Sequence, residues 1–290
     1  MMGVVSSTLM IVSPILIAAI GGMISERSGV VNIALEGLMV SGAMAAAVSH
    51  ALLESNFGFS VPLALFFAAF CGGLFSLIHA FASVTLKANQ VVSGTGVNLL
   101  ANGATVFVCQ IMFRMDRTPN FRMGMTPGFF GIYPTIWIAL AVLAAAAFAL
   151  YKHPWGLRLR ASGENQQALA CSGVSVVNTR YAAVLISGFL AGLGGGCVVL
   201  TQDIQFTVNV INGKGFIALA AVSFGRRRPL GILGASLLFG FALSLAVNAV
   251  DIKDLRFLPS EFFNMLPFLI TLLTLVVFSG RKYAPGSLRQ

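Results

Sequence analysis

The chain has 290 residues, of which 57% are apolar and only 9% charged, and its mean hydropathy is +0.90. Soluble domains carry roughly 25% charged residues, so the composition excludes an ordinary soluble enzyme. With its repeated apolar runs it predicts an all-α, polytopic membrane protein of about 8–10 spanning helices. The net charge of +9 does not point to nucleic acid, because the basic residues lie between the apolar runs, where they act as a topology signal.

Residues 4–24 form the first apolar run, with Pro14 inside it, and end in a charged turn at Ser25-Glu26-Arg27-Ser28-Gly29. The next run, 30–53, contains Asn32 and Glu36, four apart and therefore on one helix face. A turn at 54–60 leads to the run 61–86, and Lys87 separates it from 89–113, whose first half is polar and glycine-rich (NQVVSGTGVN) and reads as a broken helix. Residues 114–131 form a polar loop and 133–151 span again.

A polar island follows at 154–179, the longest stretch without a membrane-length apolar run. It has small-residue turns at Ala161-Ser162-Gly163 and Ser172-Gly173, and between them ENQQALAC is expected to make about two helical turns, with the Glu164 carboxylate near the positive end of the helix dipole. Such a helix between turns suits docking to a soluble partner; the plainer alternative is a solvated connection. Beyond it, 181–201 span, 215–225 form a short apolar segment ending in Arg226-Arg227-Arg228, and 230–250 and 262–279 complete the set before a basic tail.

Alternation with the tail inside places twelve of the 18 Lys and Arg residues on the cytoplasmic side. The other six (Arg114, Arg117, Arg122, Lys214, Lys253, Arg256) fall outside with six acids. Positive-inside then predicts an external N-terminus, a cytoplasmic C-terminus, cytoplasmic Ser162 and Ser287, and external Asn56 and Asn120. The assignment requires the polar stretch before residue 215 and the short segment after it to cross together as a broken helix. A shift of 119 residues aligns 61–101 with 180–220 without a gap, with identities including Gly73/Gly192, Gly94/Gly213 and Gly96/Gly215. Opposite directions of the two copies would make this an inverted-topology repeat within a single transmembrane domain, with broken helices at matching places.

Chemistry of catalysis finds no support. His50, His79 and His153 are isolated, and Cys71, Cys109, Cys171 and Cys197 lie singly, which indicates neither a disulfide framework nor a zinc site. Gly213-Lys214-Gly215 lacks the upstream glycine and the Ser/Thr of a phosphate-binding loop, so an ATP-driven role needs another subunit. Residues 1–25 hold no Lys or Arg and lack the charged start of a cleaved signal peptide. Glu36 lies seven residues past Gly29, about 10 Å along a helix; a carboxylate at that depth either serves transport or holds a neighbouring broken helix. The same choice applies to Asn32, Asn98, Asn102 and nearby Phe107 as a translocation-path set, and Asn89, Gln90, Asn209, Asn212 and Lys214 stand beside the two breaks. Gly188, Gly192, Gly194, Gly195 and Gly196 offer a close-packing face, either for a second permease or within the chain.

Four stretches, 25–37 (SERSGVVNIALEG), 89–100 (NQVVSGTGVNLL), 156–174 (GLRLRASGENQQALACSGV) and 213–231 (GKGFIALAAVSFGRRRPLG), resemble permeases of bacterial ABC importers for nucleosides, simple sugars and branched-chain amino acids. The first is similar to the nucleoside type, whereas ribose-type permeases show a different sequence there. The resemblance implies a cobalamin-importer-like fold, a coupling loop at 152–179 that seats Arg160, Gly163, Glu164, Asn165 and Gly173 in an ATPase, and no cofactor. It implies further a second permease, with a heterodimer favoured, a fused two-domain ATPase, an extracytoplasmic binding lipoprotein and the bacterial inner membrane. Asn165-Gln166 stands where the family commonly has Asn-Pro. A ribose-type or branched-chain amino acid permease, an ion-coupled secondary transporter and a channel-forming subunit are the alternatives.

Overall fold

A computed structural model describes residues 2–54, 59–121, 124–128 and 131–249, together with Met265 and Leu269. The expected span 262–279, the basic tail with Ser287, and Asn56 lie outside the described residues. Those described form α1 (Met2–Arg27), α2 (Leu35–Leu53), α3 (Ser60–Ala80) with a π-helical turn at Phe81–Thr85, α4 (Gln90–Phe113), α5 (Pro134–Tyr151), α6 (Pro154–Glu164), α7 (Gln166–Cys171), α8 (Val176–Thr201), α9 (Lys214–Phe224) and α10 (Pro229–Ala249). Seven of these helices are long and apolar enough to cross a membrane, and α9 is a shorter apolar helix.

The apolar α1 is the axis of the molecule. A helix hydrophobic all round belongs in the interior, and Ile15, Leu16, Ile17, Ile20 and Met23 have no exposed surface. It packs against α5, α8, α9 and α10, while α2 and α3 close on the other side of α8.

Small residues let α8 approach its neighbours at backbone distance. A β-carbon on Gly192 would strike the Ala68 carbonyl of α3, one on Gly195 the Met39 carbonyl of α2, and one on Gly194 would come to 2.9 Å from the Pro14 carbonyl of α1. Gly188 faces Ser76 and Gly72, and Gly196 faces Ala68, so α3 and α8 run antiparallel. All five α8 glycines are therefore used within the chain, leaving none for a second permease. Without water to drive association, close backbone packing is what holds helices together in lipid.

One end of the bundle gathers the loop 114–128 and the segment 202–206. The Phe121 amide donates to the Ile204 carbonyl at 2.8 Å, the Met125 amide to the Leu200 carbonyl at 2.7 Å, and the Phe206 amide to Thr118 Oγ1 at 2.9 Å. The opposite end collects basic residues. Arg27 donates to the Arg227 carbonyl from Nε at 3.0 Å and from a terminal nitrogen at 2.7 Å, and Arg227 Nε meets Glu26 at 2.6 Å. Arg226–Arg228 thus lie at the same end as Arg27, which requires the chain between α8 and α10 to cross. It does so as a non-helical segment, 202–213, followed by the 11 residues of α9, about 16 Å of helix.

The first copy of the repeat differs. Helix α4 runs unbroken for 24 residues, so the interruption expected within 89–101 lies before it, at the π turn and residues 86–89. Of its glycines, Gly94 is spent on contact, since a β-carbon there would come to 2.7 Å from Ile33, whereas Gly96 and Gly103 face open space.

Candidate functional site: coupling loop and transport face

Residues 28–34, between α1 and α2, are not helical; the Ser28, Gly29 and Val30 amides return to carbonyls at the end of α1, and side chains from other elements engage groups further along. Gln90 Oε1 accepts from the Val31 amide at 2.8 Å, and Asn98 accepts from the Gly37 amide at 2.8 Å while donating to the Ile33 carbonyl at 3.0 Å. Asn32, fully buried, donates to Ser187 Oγ at 2.8 Å and accepts from the Ala34 amide. His79 bridges Ser93 and the Val31 carbonyl, at 3.0 and 3.3 Å. Nothing in the sequence marks His79 for this role, since its partners lie 14 and 48 residues away.

Glu36 caps α9 from across the bundle. Its carboxylate accepts from the Gly213 amide at 2.8 Å and the Gly215 amide at 2.7 Å, satisfying two orphan donors of a helix that begins inside the apolar layer. Gly213 adopts φ +80°, and a β-carbon on Gly215 would lie 2.5 Å from Glu36 Cα, so glycine is needed at both positions. Of the five residues expected along a path, Asn32, Glu36 and Asn98 are thereby committed to holding interrupted backbone. Asn102 and Phe107 are not.

Those two belong to the outward side of α4. Helix α3 exposes only apolar side chains, among them Leu63, Phe66, Phe67, Phe70, Leu74 and Ile78. Helix α4 exposes Gln110, Gly96, Gly103 and Thr95, whose hydroxyl donates to the Val91 carbonyl at 2.9 Å, among Val91, Val92, Leu99, Leu100, Phe107, Ile111 and Met112, with Asn102 half-buried. Amide and hydroxyl groups facing lipid tails lose their hydrogen bonds to water at a cost of several kcal/mol each by the about 4–8 kcal/mol transfer scale for hydrocarbon. The α3 surface suits lipid; the α4 surface suits protein or water.

At the basic end, α6 and α7 form the island. Residues 161–163 are the last turns of α6 and not a loop, because their small side chains let the helix lie on the end of α1. A β-carbon on Gly163 would strike the Arg27 carbonyl, and Ser162 Oγ donates to the Ser28 carbonyl at 3.1 Å. Arg180, entering α8, donates to the Ser28 carbonyl at 3.2 Å and the Ser162 carbonyl at 3.3 Å. Glu164 accordingly ends α6 and does not open the next helix. Asn165 breaks the two apart and caps α7, its side chain accepting from the Ala168 amide at 3.0 Å. Gly173, at φ +78°, ends α7 with open space around it. Only Leu169 of α7 is buried; Gln166, Gln167, Ala168, Ala170 and Cys171 are exposed. Arg160 lies over the Tyr151 ring at 5.9 Å and faces back toward α5.

A bundle with an interrupted helix, a polar outer face on one span and a protruding polar helix pair at one end is arranged like a transport subunit. Comparison with known proteins decides the matter: residues 4–275 match the family described as branched-chain amino acid transport system permease component. The chain belongs to that permease family. This permease is 40% identical to the guanosine ABC transporter permease protein NupQ of Bacillus subtilis, over 97% of its own length and 93% of the relative's. It is 37% identical to the nucleoside ABC transporter permease protein NupC of Lactococcus lactis, over 97% and 94%. A second B. subtilis protein, the guanosine ABC transporter permease protein NupP, is 25% identical over 97% of this chain and 82% of that protein. Its fold is similar to that of an inward-facing metal-chelate-type ABC transporter, with TM-score 0.57 at 13% identity over 94% of this chain and 86% of that one. It is therefore a multi-pass ABC transporter permease and not itself an enzyme, and the secondary-transporter and channel alternatives fall away.

Proposed function

We propose that this permease carries nucleosides inward across the bacterial cytoplasmic membrane, with its N-terminus outside. The observation that carries the substrate is its likeness, over nearly the whole of both chains, to permeases named for guanosine and for nucleosides. The chemistry of α4 agrees. Asn102 and Gln110 offer hydrogen bonds without charge, and Phe107 offers a ring that lets a base slide past. A nucleoside is uncharged and presents a stackable base and ribose hydroxyls. The path is then the outer face of α4 opposed to a second permease. A heterodimer is favoured because two proteins named as guanosine permeases of one organism both match this chain.

The coupling surface in this reading is α7 with Glu164, Asn165 and Gly173, seated in a fused two-domain ATPase, with Gly163 and Arg160 holding α6 to the membrane domain. An extracytoplasmic lipoprotein supplies the substrate. In cells expressing the full complex, uptake of radiolabelled guanosine is expected to be competed by unlabelled nucleosides and not by ribose or leucine. Competition by ribose alone would move the permease to the sugar branch, and competition by leucine alone to the amino acid branch.

A further inference from the structure

Helix α9 is fastened at both ends to one short stretch of chain, residues 26–36. At its inner end Glu36 accepts from the Gly213 and Gly215 amides at 2.8 and 2.7 Å. At its basic end the chain turns through residues 225–228 into α10, and the end of α1 holds that turn. Arg27 forks onto the Arg227 carbonyl at 3.0 and 2.7 Å, and Arg227 Nε donates to Glu26 at 2.6 Å. Between its ends α9 lies along α1, where a β-carbon on Gly22 would come to 3.2 Å from Val222. The island bears on the same stretch: a β-carbon on Gly163 would strike the Arg27 carbonyl, and Ser162 and Arg180 both donate to the Ser28 carbonyl, at 3.1 and 3.2 Å.

The turn has a strained backbone. Arg226 and Arg227 adopt φ +52° and +54°, in the left-handed region, and the Arg227 amide donates to the Val222 carbonyl at 3.1 Å to close the end of α9. Glycine ends a helix in this way without steric cost. A larger residue persists there only where its surroundings hold it, and Arg227 is held by Glu26, a carboxylate only 3% exposed. Burial of such a pair adds little stability, because desolvation of the two charges offsets their attraction. What the pair provides is register: it joins the α9–α10 turn to the last residues of α1, on which α6 lies.

We infer that Glu26 and Arg227 are a positioning pair through which movement of the island is passed to α9 and to the non-helical segment 202–213 that precedes it. Displacement of α6 on the end of α1 reaches the α9–α10 turn through this pair. Helix α9, about 16 Å long and capped by Glu36, carries it into the membrane layer. The inference rests on the ATPase meeting the island and is independent of the substrate.

The test follows the segment in the purified permease–ATPase complex, through the rate at which Cys171→Ala/Asn209→Cys reacts with a small maleimide, since Asn209 is exposed. Nucleotide-free complex is compared with complex trapped by ATP and vanadate. With the pair intact, trapping is expected to change the rate at least fivefold. Arg227→Gly relieves the turn and removes the pair, so the complex should assemble and trap nucleotide as before while the change falls below twofold. Glu26→Gln should do the same, and Arg227→Lys, which keeps the charge, should retain most of the change; these two decide should the glycine variant not assemble. An undiminished change in Arg227→Gly or Glu26→Gln, or no change with the pair intact, would overturn the inference. Cross-linking of native Cys171 to the ATPase reports separately on the docking surface: a missing cross-link beside an intact, pair-dependent maleimide response would move that surface and leave the pair standing.

Discussion

At the scale of single residues, the polar groups of the membrane layer divide into those that hold backbone and those that face outward. Glu36 is of the first kind: two amides of α9 point at its carboxylate. Hydrogen bonds to a charged group contribute about 1.5–3 kcal/mol each, so Glu36→Ala should destabilise the permease by about 3 kcal/mol and Glu36→Gln, which keeps one acceptor oxygen, by about half of that. Denaturant unfolding of the purified protein reads this directly. Unchanged unfolding with abolished uptake would instead assign Glu36 to transport. The sequence made the site conspicuous, because a carboxylate so deep in an apolar run needs a reason; the helix face that spacing gave Asn32 and Glu36 does not exist, since Asn32 lies in the non-helical segment before α2 begins at Leu35. It did not reveal which way the choice falls. Asn32 and Ser187 are 155 residues apart, and Glu36 and Gly215 are 179 apart; periodicity gives the face of a helix and never its partner.

At the scale of elements, glycine is the ambiguous letter. Gly94-Thr95-Gly96 reads as a break because glycine weakens a helix, yet α4 is continuous, since Gly94 is there to admit Ile33. Ala161-Ser162-Gly163 reads as a turn for the same reason and is a helix end pressed on α1. The island itself and the small-residue boundary at Gly173 were legible, because polar composition between apolar runs is a strong contrast. The division at Asn165 was not, since an asparagine inside ENQQALAC looks like any polar helical residue until it is seen capping α7. The contact of α6 with α1 yields a prediction about coupling. Gly163→Val drives a side chain into the Arg27 carbonyl and lifts α6 from the end to which the α9–α10 turn is also bonded. The complex should still assemble through exposed α7, but ATP hydrolysis should lose most of its stimulation by loaded binding protein, and uptake should fall at least tenfold. Wild-type uptake in this variant would show that force from the ATPase enters the membrane domain elsewhere.

At the scale of the whole molecule, the fold separates two ends, and the basic residues distinguish them. Hydrogen bonds join Arg27, Ser28, Ser162, Arg180 and Arg227 at one end, and residues 118–125 meet 200–206 at the other. This agrees with the alternation that puts twelve basic residues on one side and six on the other, and the crossing it demanded between α8 and α10 is made by residues 202–213 with α9. By the positive-inside rule the Arg27 end is expected to be cytoplasmic. The thiols allow a direct measurement. Cys109 and Cys197 are buried and Cys71 half-buried on the face of α3, whereas Cys171 on α7 is exposed, so native Cys171 reports the polar island at the basic end. Ser162 is unsuitable as a reporter, being fully buried. In intact cells an impermeant maleimide should leave the wild-type permease unlabelled and should label it after permeabilisation. Cys171→Ala/Asn120→Cys should label in intact cells, because Asn120 is exposed at the opposite end. Labelling of Cys171 before permeabilisation, with Asn120→Cys protected, would invert the topology and place the basic end outside.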